Sequence, residues 1–154
     1  MNHAHSADLV KIAFELGDDT LRPGEVETMW AEPLGEDRYR LRNSPFYARG
    51  FSFLDVVIAE RQTDGFPIVR RPLLRSGHST YQLFVSGGID ASAHFRSYAE
   101  RLLGLSCTFE RATAQLAAVD VPPEANIHEV YGLLEAGEQA RVWDFQEGYC
   151  GHPV

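Results

Sequence analysis

Val10, Ile12, Phe14 and Leu16 recur at every second position, which predicts a strand over residues 9–16 with one apolar face. Gly17-Asp18-Asp19 and Arg22-Pro23-Gly24 then supply turn chemistry, Gly for positive φ and Pro for a preset one. A second strand is expected over residues 26–32, with Trp30 anchoring the core, and residues 33–37 form a tight connection. Arg38-Tyr39-Arg40-Leu41-Arg42 alternates without a break, so a strand turns Tyr39 and Leu41 inward and sets three arginines on the other face. Residues 55–60 read as a buried strand, Thr63-Asp64-Gly65 carries the Asp-Gly signature of a hairpin, and residues 66–74 return. Pro67 and Pro72 place that return at an edge or a bulge. Five short strands joined by tight turns predict a small, partly open β-barrel of the SH3-like or OB-like kind.

Beyond Arg75 the periodicity changes. Thr80-Tyr81-Gln82-Leu83-Phe84-Val85 reads as a strand, and Ser86-Gly87-Gly88 turns the chain. A helix follows, capped by Asp90 or Ser92, with Phe95, Ala99, Leu102 and Leu103 on its apolar side and Gly104 as its stop. Residues 107–110 and 116–121 predict two strands joined by a hairpin near Ala112-Thr113. Asn126 and Glu129 open a second helix whose Ile127, Val130, Tyr131 and Leu134 share a face, with Gly137 as its stop. Residues 142–146 form the last strand. Strand, helix, strand, strand, helix, strand is the order of a ferredoxin-like (split βαβ) half. Both helices would cover one sheet face, and the other would stay open or pack on the barrel.

The fold class is therefore α+β: a disordered lead-in over residues 1–8, a barrel over 9–75, a ferredoxin-like half over 76–150 and a tail over 151–154. Its sheet would place Cys107 and Cys150 near opposite edges, too far apart for a disulfide. The start lacks a cationic segment followed by an apolar run, so no signal peptide is expected and a cytoplasmic location is the default.

Charge sharpens the picture. The chain of 154 residues has a formal net charge of -8, against general nucleic-acid binding, which needs a basic surface. Residues 77–154 carry most of that charge, a net of -6. Residues 38–75 reverse it, with eight arginines against Asp55, Glu60 and Asp64. Arg38, Arg40, Arg42, Arg49, Arg70 and Arg75, with His78 beside them and Tyr47 or Phe46 for stacking, form a candidate surface for an anion or an acidic partner, since guanidinium forks hold carboxylates and phosphates. The bland alternative is a solvated strand face.

Arg75-Ser76-Gly77-His78-Ser79-Thr80 holds the densest group of reactive side chains. In an extended segment Ser76, His78 and Thr80 share a side, but neighbours two apart sit roughly 6–7 Å from each other, beyond nucleophile–base reach. His78, Ser76 and Asp55 are thus weak catalytic candidates, and His78 is read more readily as a residue that fixes the two halves together. Neither a P-loop nor a G-x-S-x-G elbow occurs. His3 with His5, and Cys150-Gly151-His152, are two-ligand fragments near the chain ends, so neither a metal nor a cofactor is expected.

Several spaced segments resemble a bacterial family, domain of unknown function 4265. They are Trp30-Ala31-Glu32-Pro33-Leu34-Gly35, Arg38-Tyr39-Arg40-Leu41, Asn43-Ser44-Pro45-Phe46-Tyr47-Ala48-Arg49-Gly50, Asp55-Val56-Val57, Ser76-Gly77-His78-Ser79-Thr80, Ala118-Val119-Asp120-Val121-Pro122-Pro123 and Trp143-Asp144-Phe145. The resemblance runs from about Val10 to Cys150 and implies one complete unit of bacterial origin; it carries no activity. Three functional expectations follow. The first is a non-enzymatic protein that binds a protein partner, of adaptor, regulatory or immunity type. The second is a nucleotide or RNA module on the arginine face, and the third an enzyme with a His78-centred site where the halves meet.

Overall fold

The computed structural model describes residues 8–154. The His3–His5 pair and all but Asp8 of the expected lead-in lie outside the described residues.

Strands β1 (Val10–Glu15), β2 (Val26–Gly35), β3 (Arg38–Leu41), β4 (Val56–Glu60) and β5 (Ile68–Leu74) form a closed barrel in which each strand pairs with the next. This is a meander, unlike the Greek-key path of an OB-like barrel. The barrel is closed where a partly open one is expected, yet the seam is thin. β1 meets β5 in parallel through one register pair, Ala13 with Ile68, and the Ala13 N–H donates to the Pro67 carbonyl at 2.8 Å.

Parity explains which side chains enter the barrel. Ile12 lies opposite Met29 and Phe14 opposite Glu27, so β2 turns Glu27, Met29 and Ala31 inward. Trp30 is off that parity, 46% exposed, with the Lys11 ammonium 5.2 Å from its ring centroid. It does not anchor the core, contrary to expectation. Val10 also lies outside the core at the barrel's end. β2 runs on through Pro33 to Gly35, and the hairpin turns at Glu36 and Asp37, whose φ values of 57° and 61° put both in the left-handed region, as a tight two-residue connection between right-twisted strands requires. Tyr39 and Leu41 are buried as the alternation predicts. Pro72 of β5 stands opposite Val57, beside a register shift, in line with a bulge.

The second unit is a four-stranded antiparallel sheet with two helices. Its strands β6 (Ser79–Phe84), β7 (Thr108–Arg111), β8 (Leu116–Val121) and β9 (Asp144–Tyr149) lie in the order β7-β8-β6-β9. Helices α1 (Ala93–Gly104) and α2 (Ile127–Gln139) pack Leu102, Val130 and Leu134 against Tyr81, Leu83 and Val119. Ser92, not Asp90, caps α1 by accepting the Phe95 N–H, and Asn126 caps α2 by accepting from His128 and Glu129. Cys107 and Cys150 are free thiols.

Two expectations fail at α2. The helix runs past Gly137 to Gln139, and β9 starts at Asp144 rather than Val142. Gly137 is needed for space: a Cβ there would stand 2.6 Å from Nε1 of Trp143. Val142 and Trp143 are core residues, and the Trp143 indole N–H donates to the Leu134 carbonyl at 2.9 Å. Gly137→Ala therefore forces the indole off its bond, and we expect a loss of about 2–3 kcal/mol in urea unfolding from overpacking. An unchanged midpoint would show that the ring has room to move.

The helix-free face of the sheet meets the barrel. The two apolar cores are separate, one inside the barrel and one between sheet and helices. Between them runs the long connection from β3 to β4, residues 42–55.

Candidate functional site

That connection is held by three carboxylates. Glu27 points from β2 into its underside, where Oε2 accepts the Phe46 N–H at 2.7 Å and Oε1 accepts those of Tyr47 at 3.1 Å and Ala48 at 2.8 Å. Burial pushes its carboxyl up from the usual range, opposed by the three N–H groups and reinforced weakly by Glu110. Glu110 of β7 accepts from the Asn43 amide and the Ser44 N–H. Gln82 of β6 donates to the Pro45 and Ala48 carbonyls and accepts from Gln146. Asp55, 1% exposed, accepts the Ser52 N–H at 2.9 Å, the Ser76 N–H at 2.8 Å and Nη1 of Arg75 at 3.1 Å.

The stretch from Arg75 to Thr80 is bound into the same seam. Arg75 also donates to the Gly50 carbonyl and lies 4.0 Å from the Tyr149 ring centroid. Ser76 Oγ donates to the Phe53 carbonyl and accepts the His78 N–H. Gly77 takes φ of 92°, which breaks the extended path assumed for Ser76, His78 and Thr80. Thr80 donates to Ser52 Oγ from a fully buried position. Asp55, Arg75, Ser76 and His78 thus lie close together in the seam. Among them, Asp55, Arg75 and Ser76 spend their hydrogen bonds on the joint between the two units.

Two histidines make carboxylate or hydroxyl pairs that chemistry can use. Nδ1 of His78 lies 2.8 Å from Asp120 Oδ1, so it carries the proton, and the ring packs edge-on against Phe53. No oxygen or sulfur nucleophile pairs with its Nε2 among the described residues, and Ser76 Oγ is already committed twice. Ser79 Oγ accepts the Gly151 N–H, which leaves its own proton for Nδ1 of His152 at 2.6 Å. His152 then donates from Nε2 to the Pro122 carbonyl at 2.9 Å. This hydroxyl–imidazole pair is sealed, with Ser79 at 0% exposure, so it latches residues 151–152 onto β6 and offers a substrate nothing. His152 is thereby tied into the second unit rather than lying in a free tail. Among the described residues there is no group of three ligands for a metal ion, and no helix is long and apolar enough to cross a membrane.

Glu27, Glu110, Asp120 and His152 were not singled out for these roles from the sequence. Only Glu27 carried a legible signal, an acid at the inward parity of Met29 and Ala31.

Cys107 is buried, and burial first, then Asp120, pushes its thiol up to about 12. Cys150 is half-buried. We expect a maleimide at pH 7.5 to label one thiol per native chain, at Cys150, with Cys107 reacting only after unfolding. Prompt labelling of both would place Cys107 in an accessible site.

The arginine face is largely neutralised. Arg40 and Arg42 pair with Glu32, Arg38 with Glu36, and Arg70 with both Glu60 and Glu15. Arg49 donates to the Asp19 and Glu147 carbonyls, and Tyr47 has the Arg22 guanidinium over its ring.

An open hollow lies elsewhere, at the barrel end where β1 and the segment before β5 part. It encloses about 500 Å³ between Val10, Pro33, Tyr39, Phe66 and Pro67, with Lys11 and Arg61 beside it. Phe66 is 49% exposed. Tyr39 is only 6% exposed as a residue, and its hydroxyl is not among the buried polar atoms without a partner, Ser44 Oγ alone being so among the described residues.

The model of the family described as "Domain of unknown function (DUF4265)" matches residues 27–145, and the chain belongs to that family. The match is narrower than the resemblance read from the sequence, leaving out β1 and residues 146–154. A comparison with curated proteins finds no match. Among solved structures, the chain is similar to one titled "Novel crystal structure of a hypothetical protein from Neisseria gonorrhoeae", at 16% identity and a TM-score of 0.74, covering 94% of this chain and 96% of that one. The likeness extends to both units and concerns the fold.

Proposed function

We propose that this DUF4265 protein is a non-enzymatic binding protein of the adaptor, regulatory or immunity type, and that it holds a protein partner at the barrel end. The carrying observation is the open hollow of about 500 Å³ between Val10, Tyr39 and Phe66, which keeps the apolar side chains of Val10 and Phe66 in water beside two cations. Lys11 and Arg61 beside it favour a partner with carboxylates at the contact. In the strand order β9-β6-β8-β7 we read a ferredoxin-like half, and in the meander an SH3-like barrel; both serve as a frame for the docking end. The free thiols Cys107 and Cys150 are in keeping with a cytoplasmic setting.

Two competing readings have less support. The ion pairs of Arg38, Arg40, Arg42 and Arg70 leave little free positive charge for RNA or nucleotides. An enzyme built on His78 has its Asp120 orienter but no nucleophile in reach.

The test places a photo-crosslinker at Thr63, beside the hollow, in cells of the source bacterium. A single protein adduct is expected, reproduced by the purified partner and lost with Phe66→Asp. An adduct untouched by Phe66→Asp, or none, would overturn the assignment.

A further inference from the structure

Resting on that reading, we infer that the hollow accepts an extended peptide segment of the partner as an added strand on the free edge of β1. β1 uses one edge fully, against β2 from Val10 to Glu15, and the other only at Ala13. The Ala13 N–H faces β5, where it bonds Pro67. Lys11 is two residues earlier, so its N–H and C=O face the same way. They lie beside the hollow, since β5 pairs with β1 only at Ala13, Pro67 has no N–H to give the Lys11 carbonyl, and neither Lys11 group makes a main-chain hydrogen bond across that edge among the described residues. A strand laid there gains main-chain hydrogen bonds that the barrel itself leaves unmade.

The walls define the segment's side chains. In an extended peptide, residues two apart share a face, about 7 Å from each other. An aliphatic or aromatic side chain fits between Val10 and Phe66. Tyr39 lines the hollow and its hydroxyl can donate to a peptide acceptor, and a carboxylate two residues away meets Lys11 or Arg61. Asp37, 3.9 Å from Arg61, holds that guanidinium only loosely and leaves it free to turn. The occupant is thus an extended segment with an apolar residue and an Asp or Glu at alternate positions.

A phage-displayed library of random 10-residue peptides, selected on the full chain and counter-selected on Phe66→Asp, supplies the probe. The enriched peptides are expected to share that apolar–x–acidic pattern. Backbone N-methylation, scanned along one synthetic peptide by calorimetry, reads the strand directly. Methylation at positions of one parity should weaken binding about tenfold, and at the other parity by less than about threefold. Uniform tolerance of N-methylation would overturn strand addition while leaving a partner at the hollow in place. Loss of every selected peptide at the counter-selection, because each binds Phe66→Asp as well as wild type, would overturn both, and so would the absence of any selected peptide together with loss of the Thr63 adduct.

Discussion

Glu27→Ala is expected to lower the free energy of unfolding by about 3–5 kcal/mol. The carboxylate accepts three consecutive backbone N–H groups, from Phe46, Tyr47 and Ala48. Removing it strands those donors beneath a connection packed on both sides, at about 1–3 kcal/mol for each group that finds no other acceptor. Glu27→Gln should fall between, since one oxygen remains and the new amide NH₂ meets an N–H that it cannot accept. The effect depends on pH in a defined direction. Burial raises the Glu27 carboxyl above its unfolded value, so its favourable contribution is complete below the unfolded carboxyl range and is lost as pH rises through the folded value. The stability gap between wild type and Glu27→Ala should therefore widen as pH is lowered from 7 to 5. Urea titrations at three pH values measure it; a gap that narrows would mean that the three N–H groups outweigh burial.

Asp55→Ala is expected to cost about 3 kcal/mol and to weaken the coupling between the two units. Asp55 gathers Ser52 from the β3–β4 connection and Arg75 with Ser76 from the segment leading to β6. Most of the cost lies in the two stranded N–H groups, because Arg75, with 37% of its side chain exposed, can return to water. Native-state hydrogen exchange should show it. In wild type the slowest amides of β4 and of β6 are expected to share one opening free energy, and in Asp55→Ala to separate. Equal protection in both units of the variant would place their coupling elsewhere, in Gln82 and Glu110.

Most of the architecture was legible from periodicity and turn residues. Tyr39 and Leu41, or Val130 and Leu134, announce their faces because neighbouring positions differ sharply in polarity. The size of Trp30 suggests a core residue, but parity decides, and parity is set across the strand pair by Ile12 and Phe14. Gly137 reads as a helix stop in one dimension, whereas its reason is Trp143, packed onto it from six residues further along. The candidate site was half legible. Asp55, Arg75, Ser76 and His78 do meet, but their partners Gly50, Phe53 and Asp120 come from other elements, and no local pattern shows that the bonds close on themselves. The hollow was illegible for a similar reason. It exists because β1 and β5 pair at one residue and then part, and register is not written in either strand alone.

On the function proposed above, the stretch from Arg75 to Thr80 joins the two units while the barrel end does the binding. The most direct measurement compares the yield of the Thr63 photo-adduct in His78→Ala and in Phe66→Asp, both confirmed folded by circular dichroism. We predict a yield near that of wild type for His78→Ala and at least a tenfold drop for Phe66→Asp. Loss of the adduct in a folded His78→Ala, with Phe66→Asp unaffected, would contradict the account and return function to the joint.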